Sequence, residues 1–203
     1  MKTRNTVFVL ALSIAAVPAL ADDAAPTPPT TPQGVESARD TLQQERIEQG
    51  LQTGALNTNE AGRLERQETH VDQMESHAAA NGNVSPEEAA RINAAQNRVS
   101  RRIYAQKHDA QAGNPVSASS QRMQANVQRD ANQEARINQG VQSGQLTTRE
   151  AGRLERGEAR NDRTLANAAA NGHVSAPEAA HTEGVENRQS RRVYVQKHDE
   201  QTN

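Results

Sequence analysis

Three side chains in one segment have the spacing and the chemistry of a metal site. His70, Met74 and His77 are separated by four and then three residues, which places them on one face of a helix. Two imidazoles and a thioether form a soft to borderline ligand set that suits copper. Met74 is equally a candidate core residue. A second copy of the segment carries Arg160, Thr164 and Asn167 at these positions, so the duplication does not support the site.

A basic and aromatic segment occurs twice and is the second candidate site. Residues 100–109 read SRRIYAQKHD, and residues 190–199 read SRRVYVQKHD. As helix ends, these segments can grip an anionic surface or a periplasmic protein. The residues concerned are Arg101, Arg102, Tyr104, Lys107, His108, Arg191, Arg192, Tyr194, Lys197 and His198. The structural alternative is that the helix dipole favours cations in a last turn, and that Arg101 and His108 pack on the Tyr104 ring.

Four turns share one pattern, in which a glycine is followed by an aliphatic residue, a polar capping residue and, three residues later, a glutamate. The glycines are Gly54, Gly82, Gly144 and Gly172. Glycine is expected to end each preceding helix in a left-handed conformation. The capping residue and the glutamate form a capping box for the next helix, in the pairs Asn57 and Glu60, Ser85 and Glu88, Thr147 and Glu150, and Ser175 and Glu178.

The same turns resemble the second half of an EF-hand calcium loop. Glycine, an aliphatic residue, a hydroxyl or amide and a glutamate stand where that loop has its positions six, eight, nine and twelve. Loop positions one and three would be Gln49 and Leu51 in the first turn, which are not the carboxylates that a calcium loop needs. The EF-hand-like pattern therefore argues for caps more than for calcium.

The helices that position these residues are predicted from a tandem repeat. Residues 43–111 recur at 133–201 without a gap, and 39 of the 69 aligned positions are identical. Each copy predicts three helices, over 35–52, 58–79 and 86–108 in the first copy and 119–142, 148–169 and 176–198 in the second. The expected fold is all-α, with two tandem three-helix modules joined by short glycine and capping-box turns.

The second copy has the poorer apolar pattern. Asn161, Thr164, Thr182 and Gln189 replace Val71, Met74, Ile92 and Val99. We therefore expect its helices to pack more loosely or to need a partner.

The segments outside the repeats predict export. Residues 1–21 have the basic start, apolar run and Ala19-Leu20-Ala21 site of a signal peptide. Residues 22–34 read as a proline-rich spacer, 35–109 and 119–200 as the repeats, and 110–118 as a linker. Cleavage at Ala21 would remove Lys2 and Arg4 and change the formal net charge from −2 to −4. An acidic, exported chain disfavours nucleic acid as a partner. No second apolar run that could span a membrane follows.

The repeat also carries a family resemblance. Gly144 to Glu155 read GQLTTREAGRLE, and Gln106 to Asp109 read QKHD. On these motifs the chain resembles an uncharacterised group of proteobacterial periplasmic helical-repeat proteins, for which the resemblance implies no activity. A weaker similarity is to small periplasmic stress chaperones with L-T-x-x-Q turns, in which Glu150 would stand for the glutamine.

The expected function is that of a non-enzymatic, periplasmic or secreted structural or interaction protein. The sequence has no G-x-S-x-G, H-E-x-x-H or phosphate-binding glycine loop and no cysteine, and it implies no cofactor. The alternative is a periplasmic stress chaperone or an accessory protein that handles copper or binds calcium weakly. The sequence leaves the oligomeric state open.

Overall fold

The computed structural model describes residues 32–199, and all of its regular elements are helical. The described chain forms six α-helices and no strand: α1 Pro32–Thr53, α2 Thr58–Ala78, α3 Pro86–Lys107, α4 Ala118–Gln142, α5 Thr148–Ala168 and α6 Ala176–Lys197. A short 3₁₀ turn, Ala79–Asn81, follows α2. The predicted all-α fold is confirmed. The predicted signal peptide and most of the predicted spacer lie outside the described residues.

The helix boundaries follow the sequence prediction closely. Each predicted boundary lies within one residue of the observed one, except that α1 begins at Pro32, inside the predicted spacer. Proline fits a first helical turn because its missing N–H would have no partner there.

The four turns are helix caps. All four turn glycines have a positive φ, between 72° and 89°. At the start of α3, the Ser85 side chain accepts a hydrogen bond from the Glu88 backbone N–H, and the Ser85 backbone N–H donates to the Glu88 carboxylate over 2.9 Å. The other three turns form the same capping box. Because the glutamates satisfy backbone donors, the calcium-loop interpretation of these turns receives no support.

Four of the helices form an antiparallel inner bundle to which both repeats contribute. The helix α2 packs along α5, and α1 packs along α4. Near the start of α2, Asn59 donates to the carbonyl of Ala170, which lies beyond the end of α5. Near the start of α5, Arg149 donates to the carbonyl of Asn81, which lies beyond the end of α2. The structure therefore places each repeat's helices against those of the other repeat.

The third helix of each repeat lies outside the inner bundle. The helix α3 packs on α1 and α2, whereas α6 packs on α4 and α5. The two outer helices therefore cover opposite sides of the inner bundle.

Apolar side chains fill the ends of the bundle, and polar ones fill its middle. Along α4, Met123 and Val127 are buried at one end and Ile137 at the other, with buried Asp130 and Glu134 between them. One apolar cluster includes side chains from both repeats, and a second one lies within the second repeat. Within residues 32–199, no helix is long and apolar enough to cross a membrane.

Candidate metal centre

The middle of the inner bundle is lined with carboxylates. Ten acidic residues of α1, α2, α4 and α5 are at most 5% exposed in this region: Asp40, Glu65, Glu68, Asp72, Glu75, Asp130, Glu134, Glu155, Glu158 and Asp162. Acidic residues are almost never fully buried unless they are paired. Ten of them in one interior therefore require a specific physical explanation.

The sequence places these acids on one helical face. In α2, Glu65, Glu68, Asp72 and Glu75 follow one another at spacings of three, four and three residues, which is the spacing of a buried stripe. In α5, the first three of these recur as Glu155, Glu158 and Asp162, and Leu165 replaces the fourth. The capping boxes fix where each helix begins, and so fix which face points inward.

Two groups of three carboxylates have the geometry of a metal site. The first consists of Glu65, Asp130 and Asp162, and the second of Asp72, Glu134 and Glu155. In each group, one oxygen from every residue lies within 4.8 Å of the other two. Two ligands of one calcium ion at 2.3–2.6 Å are at most about 5 Å apart, so the spacing is compatible with a shared cation.

These carboxylates lack cationic partners within the described part of the chain. The ion pairs there join Arg129 to Glu183 and to Glu186, outside both groups. Several buried oxygens have no hydrogen-bond partner, including both oxygens of Asp130 and both of Glu155. A buried charge without a partner costs several kcal/mol, so the ionised interior needs either protons or cations.

Burial raises the pKa of every carboxyl in the two groups. Desolvation is the main cause, and it raises the pKa of Glu65 to about 7. For Asp72, desolvation raises the pKa well above its usual value, and the charge of Asp162 raises it further. For Glu155 the charge of Asp40 adds to desolvation in the same direction. The raised pKa values favour the protonated forms of these carboxyls, and a bound cation would replace those protons.

Neutral amides extend into the same interior. Gln44 is 3% exposed, and its Nε2 donates to the Glu65 carboxylate over 3.2 Å. Its Oε1 has no hydrogen-bond partner. Rotation of this amide would present Oε1 instead of Nε2 toward Glu65, and an amide oxygen is an ordinary calcium ligand. A buried amide that touches the first group and whose oxygen has no partner is a feature that acid clustering alone does not explain.

Other glutamines donate to the surrounding acids. Gln96 Nε2 lies 2.7 Å from an Asp40 oxygen and 3.0 Å from a Glu75 oxygen. Gln189 Nε2 lies 2.9 Å from Glu158. Gln96 of α3 and Gln189 of α6 therefore orient buried acids by hydrogen bonding. Residues that hydrogen-bond to metal ligands commonly have this role.

The predicted copper residues lie elsewhere. Met74 packs against the larger apolar cluster, while His70 and His77 are exposed. His70 lines a cavity together with Arg66, Arg98 and Arg102. Nearby guanidinium charge opposes binding of a second cation at His70. The structure offers this set less support than the interior carboxylates.

The predicted basic-aromatic ends are only partly free for a partner. Tyr104 and Tyr194 stack on His108 and His198, with ring centroids 4.1 and 4.2 Å apart, so the predicted packing of His108 on Tyr104 is confirmed. Lys107 Nζ donates to Gln49 over 2.8 Å and therefore ties α3 to α1.

The equivalent lysine of the second repeat, Lys197, ties α6 to α4. Lys197 Nζ donates to Gln139 over 2.7 Å. Both lysines thus help to hold the outer helices, whereas the paired arginines of each end, Arg101, Arg102, Arg191 and Arg192, are exposed.

Three of these exposed arginines, Arg102, Arg191 and Arg192, belong to a larger feature, a groove in each repeat. Between α5 and α6 a cavity of about 570 Å³ is lined by six arginines and no acidic residue, namely Arg153, Arg156, Arg160, Arg188, Arg191 and Arg192. Two smaller cavities between α2 and α3 include Arg63, Arg66, Arg98 and Arg102. Of the arginines that line these grooves, only Arg102, Arg191 and Arg192 were predicted from the sequence as partner-binding residues.

The interior acids were missed because charged residues in a helix are ordinarily assigned to a solvated face. A signal was nevertheless present: Glu65, Glu68 and Asp72 recur in the second copy, whereas His70, Met74 and His77 do not. Comparison with protein-family models, curated proteins and solved structures finds no match to this chain.

Proposed function

We propose that this chain is a non-enzymatic cation-binding protein that holds hard divalent cations, calcium foremost, inside its helical bundle. The observation that carries the proposal is the pair of carboxylate groups, each with three acids fully buried, mutually within 4.8 Å and without an ion-pair partner in the described chain. An exported location, which residues 1–21 favour, completes the proposal.

The donor atoms decide the class of cation. Every candidate ligand in the two groups is an oxygen, so the set favours calcium, magnesium or manganese over copper and zinc, which prefer nitrogen and sulfur. Magnesium usually keeps several of its waters and binds through one or two carboxylates. A buried set with three carboxylates at each group matches calcium better, because calcium takes six to eight oxygen ligands and readily accepts several carboxylates.

Thermal unfolding of chelator-treated full-length protein tests the proposal. At pH 7.5, calcium chloride should raise the melting temperature, because a ligand that binds only the folded state stabilises it by mass action. Asp72→Asn together with Asp162→Asn should remove most of that rise. Glu87→Gln, which neutralises an exposed acid at the start of α3, is the matched control and should retain it.

Titration calorimetry supplies the second readout. Calcium should bind the wild-type protein and the control variant, and should bind the double variant much more weakly. If calcium, magnesium and manganese all leave the melting temperature unchanged and release no heat of binding, the proposal is wrong. A response to copper alone, lost in His70→Ala, would instead support the surface site.

A second candidate function rests on the arginine grooves. We propose that they bind a soluble polyanion bearing phosphate or sulfate groups. Guanidinium groups pair with such oxyanions through two parallel hydrogen bonds. The groove between α5 and α6 contains six arginines, and five of them have an arginine at the equivalent position of the first repeat, where His70 replaces Arg160.

Binding of a fluorescent inorganic polyphosphate at two salt concentrations tests this candidate. Arg191→Gln with Arg192→Gln should weaken binding, and the wild-type affinity should fall as salt rises. Arg163→Gln, an exposed arginine of α5 that does not line the groove, is the control. Equal affinities of the wild type, the double variant and the control for polyphosphate would contradict the polyanion proposal. Binding to anionic lipid vesicles but not to polyphosphate would also contradict it.

A further inference from the structure

The 90-residue repeat relates the two carboxylate groups to each other. Glu65 of the first group is repeated 90 residues later as Glu155 of the second group. Asp72 of the second group is repeated 90 residues later as Asp162 of the first. The remaining members do not match in this way. Asp130 of the first group corresponds to Asp40, and Glu134 of the second corresponds to Gln44. Symmetry therefore predicts a fourth ligand in each group.

The antiparallel packing of α1 on α4 places these fourth residues at the right height. Gln124 of α4 donates to the carbonyl of Leu51 on α1, which aligns the two helices. Asp130 lies six residues beyond Gln124, and Gln44 lies seven residues before Leu51, so the two are level within one residue. The same count brings Glu134 level with Asp40.

A hydrogen bond places Gln44 at its group, whereas repeat symmetry and helix register place Asp40 near the other group, outside the three acids whose oxygens lie within 4.8 Å of one another. The Gln44 amide is bonded to Glu65 of the first group. Asp40 is 3% exposed, its Oδ2 has no hydrogen-bond partner, and its charge acts on both Glu155 and Glu134 of the second group. Each group thus draws one residue from each of the four inner helices.

We infer that the interior contains two adjacent, unequal cation sites, which fill in a fixed order. The site of Asp40, Asp72, Glu134 and Glu155 has four carboxylates and binds first. The site of Gln44, Glu65, Asp130 and Asp162 has three carboxylates and an amide, and binds second. This inference rests on the proposed cation-binding function and assigns its stoichiometry and order.

Charge and distance explain the order. Calcium affinity rises with the number of charged ligands, so the site with one more carboxylate is the tighter. Four residues separate Asp40 from Gln44 along α1, which corresponds to about 6 Å along the helix axis. The charge of Asp162 in one site raises the pKa of Asp72 in the other, so the two sites interact electrostatically. A cation in the first site repels the second cation at this distance and widens the difference in affinity.

Calcium titration calorimetry on the full-length protein tests the order with two exchanges at symmetry-related positions. Wild type should show two binding steps. Gln44→Glu gives the weaker site a fourth carboxylate and should tighten the second step by about tenfold or more while leaving the first unchanged. Glu134→Gln removes a carboxylate from the tighter site and should weaken only the first step. Helix content measured by circular dichroism shows whether each variant is folded.

The outcomes separate this inference from the proposed function. No binding of calcium, magnesium or manganese by wild type would defeat both, whereas failure of calcium alone would overturn only this inference. Calcium binding in a single step, or two variants that change the same step, would overturn the inference of two unequal sites and leave the proposed function in place. If Glu134→Gln loses its helix content, Asp40→Asn takes its place, because it removes another carboxylate from the tighter site and should also weaken only the first step.

Discussion

Gly62 of α2 lies against Ala169, the residue that follows α5, so closely that a β carbon on the glycine would be 2.6 Å from the alanine β carbon. The repeat-related pair, Gly152 and Ala79, has the same relationship at 2.5 Å. Gly62 and Gly152 belong to an AGRLER motif, at 61–66 and 151–156, and Ala79 and Ala169 belong to an AAANG motif, at 78–82 and 168–172. Each motif of one copy thus packs on a motif of the other copy. These contacts set the distance between α2 and α5, and hence the space available to the carboxylates.

Gly62→Ala should therefore destabilise the protein although alanine is the better helix former. Alanine gains up to about 1 kcal/mol from helix propensity. Forcing a methyl group into a well-packed contact costs about 1–3 kcal/mol, so we expect a net loss, measured as a lower midpoint in urea unfolding.

Gly184→Ala is the matched control for this substitution. Gly184 lies within α6, and a β carbon there would meet only the Arg188 guanidinium, at 3.7 Å. The same substitution should raise the urea midpoint at this position. Equal effects of the two substitutions would show that the α2–α5 contact is not tight.

The buried carboxyls predict an unusual dependence of stability on pH. Burial raises the pKa of Glu36 and of Glu186 to about 8, and that of Asp40 and of Glu158 to about 7. The unfolded chain has ordinary values near 4, so between pH 4 and pH 8 the folded state binds more protons than the unfolded state. Stability must then fall as pH rises through this range.

For chelated protein we expect a higher melting temperature at pH 5 than at pH 8. Calcium should reduce this difference, because it binds the deprotonated carboxylates and so stabilises the protein most at pH 8. Scans at both pH values, with chelator and with calcium, measure the effect. A chelated protein that is more stable at pH 8 would contradict the pKa assignments.

Neutralising the two interior aspartates should separate stability from cation binding. In the absence of cations, Asp72→Asn with Asp162→Asn removes two buried carboxyls whose ionised forms have no cationic partner in the described chain. Replacing buried ionic groups by neutral ones is often stabilising by about 1–4 kcal/mol. We therefore expect the double variant to exceed the wild type in urea midpoint at pH 8 when both are chelated.

With calcium present, the order of the two proteins should reverse. The wild type gains stability from the bound cation, and the double variant gains much less. If the double variant is less stable than the wild type in chelator as well, the aspartates act as structural hydrogen-bonding groups and not as cation ligands.

The sequence predicted the elements of this fold but not how the repeats pack together. Local signals suffice for caps such as Ser85 with Glu88, because both partners lie within one turn. The packing of Gly62 on Ala169 joins residues more than a hundred positions apart, and no local signal encodes it. The burial of Glu65 could not be predicted, because a row of acidic residues at helical spacing is also typical of a solvent-exposed helix face. Only its repetition distinguished it from the unrepeated His70 set.

The second repeat should fail to fold alone, because part of its core belongs to the first. Leu165 and Val174 of the second repeat pack in one apolar cluster with Ile47, Leu51 and Leu64 of the first. Isolated residues 112–203 would expose that surface and would leave Glu158 and Asp162 without the helices that bury them. We expect little helix by circular dichroism, whereas mixing this fragment with residues 22–111 should restore helix content. A cooperative melt of the isolated fragment would show instead that the repeat is an independent module.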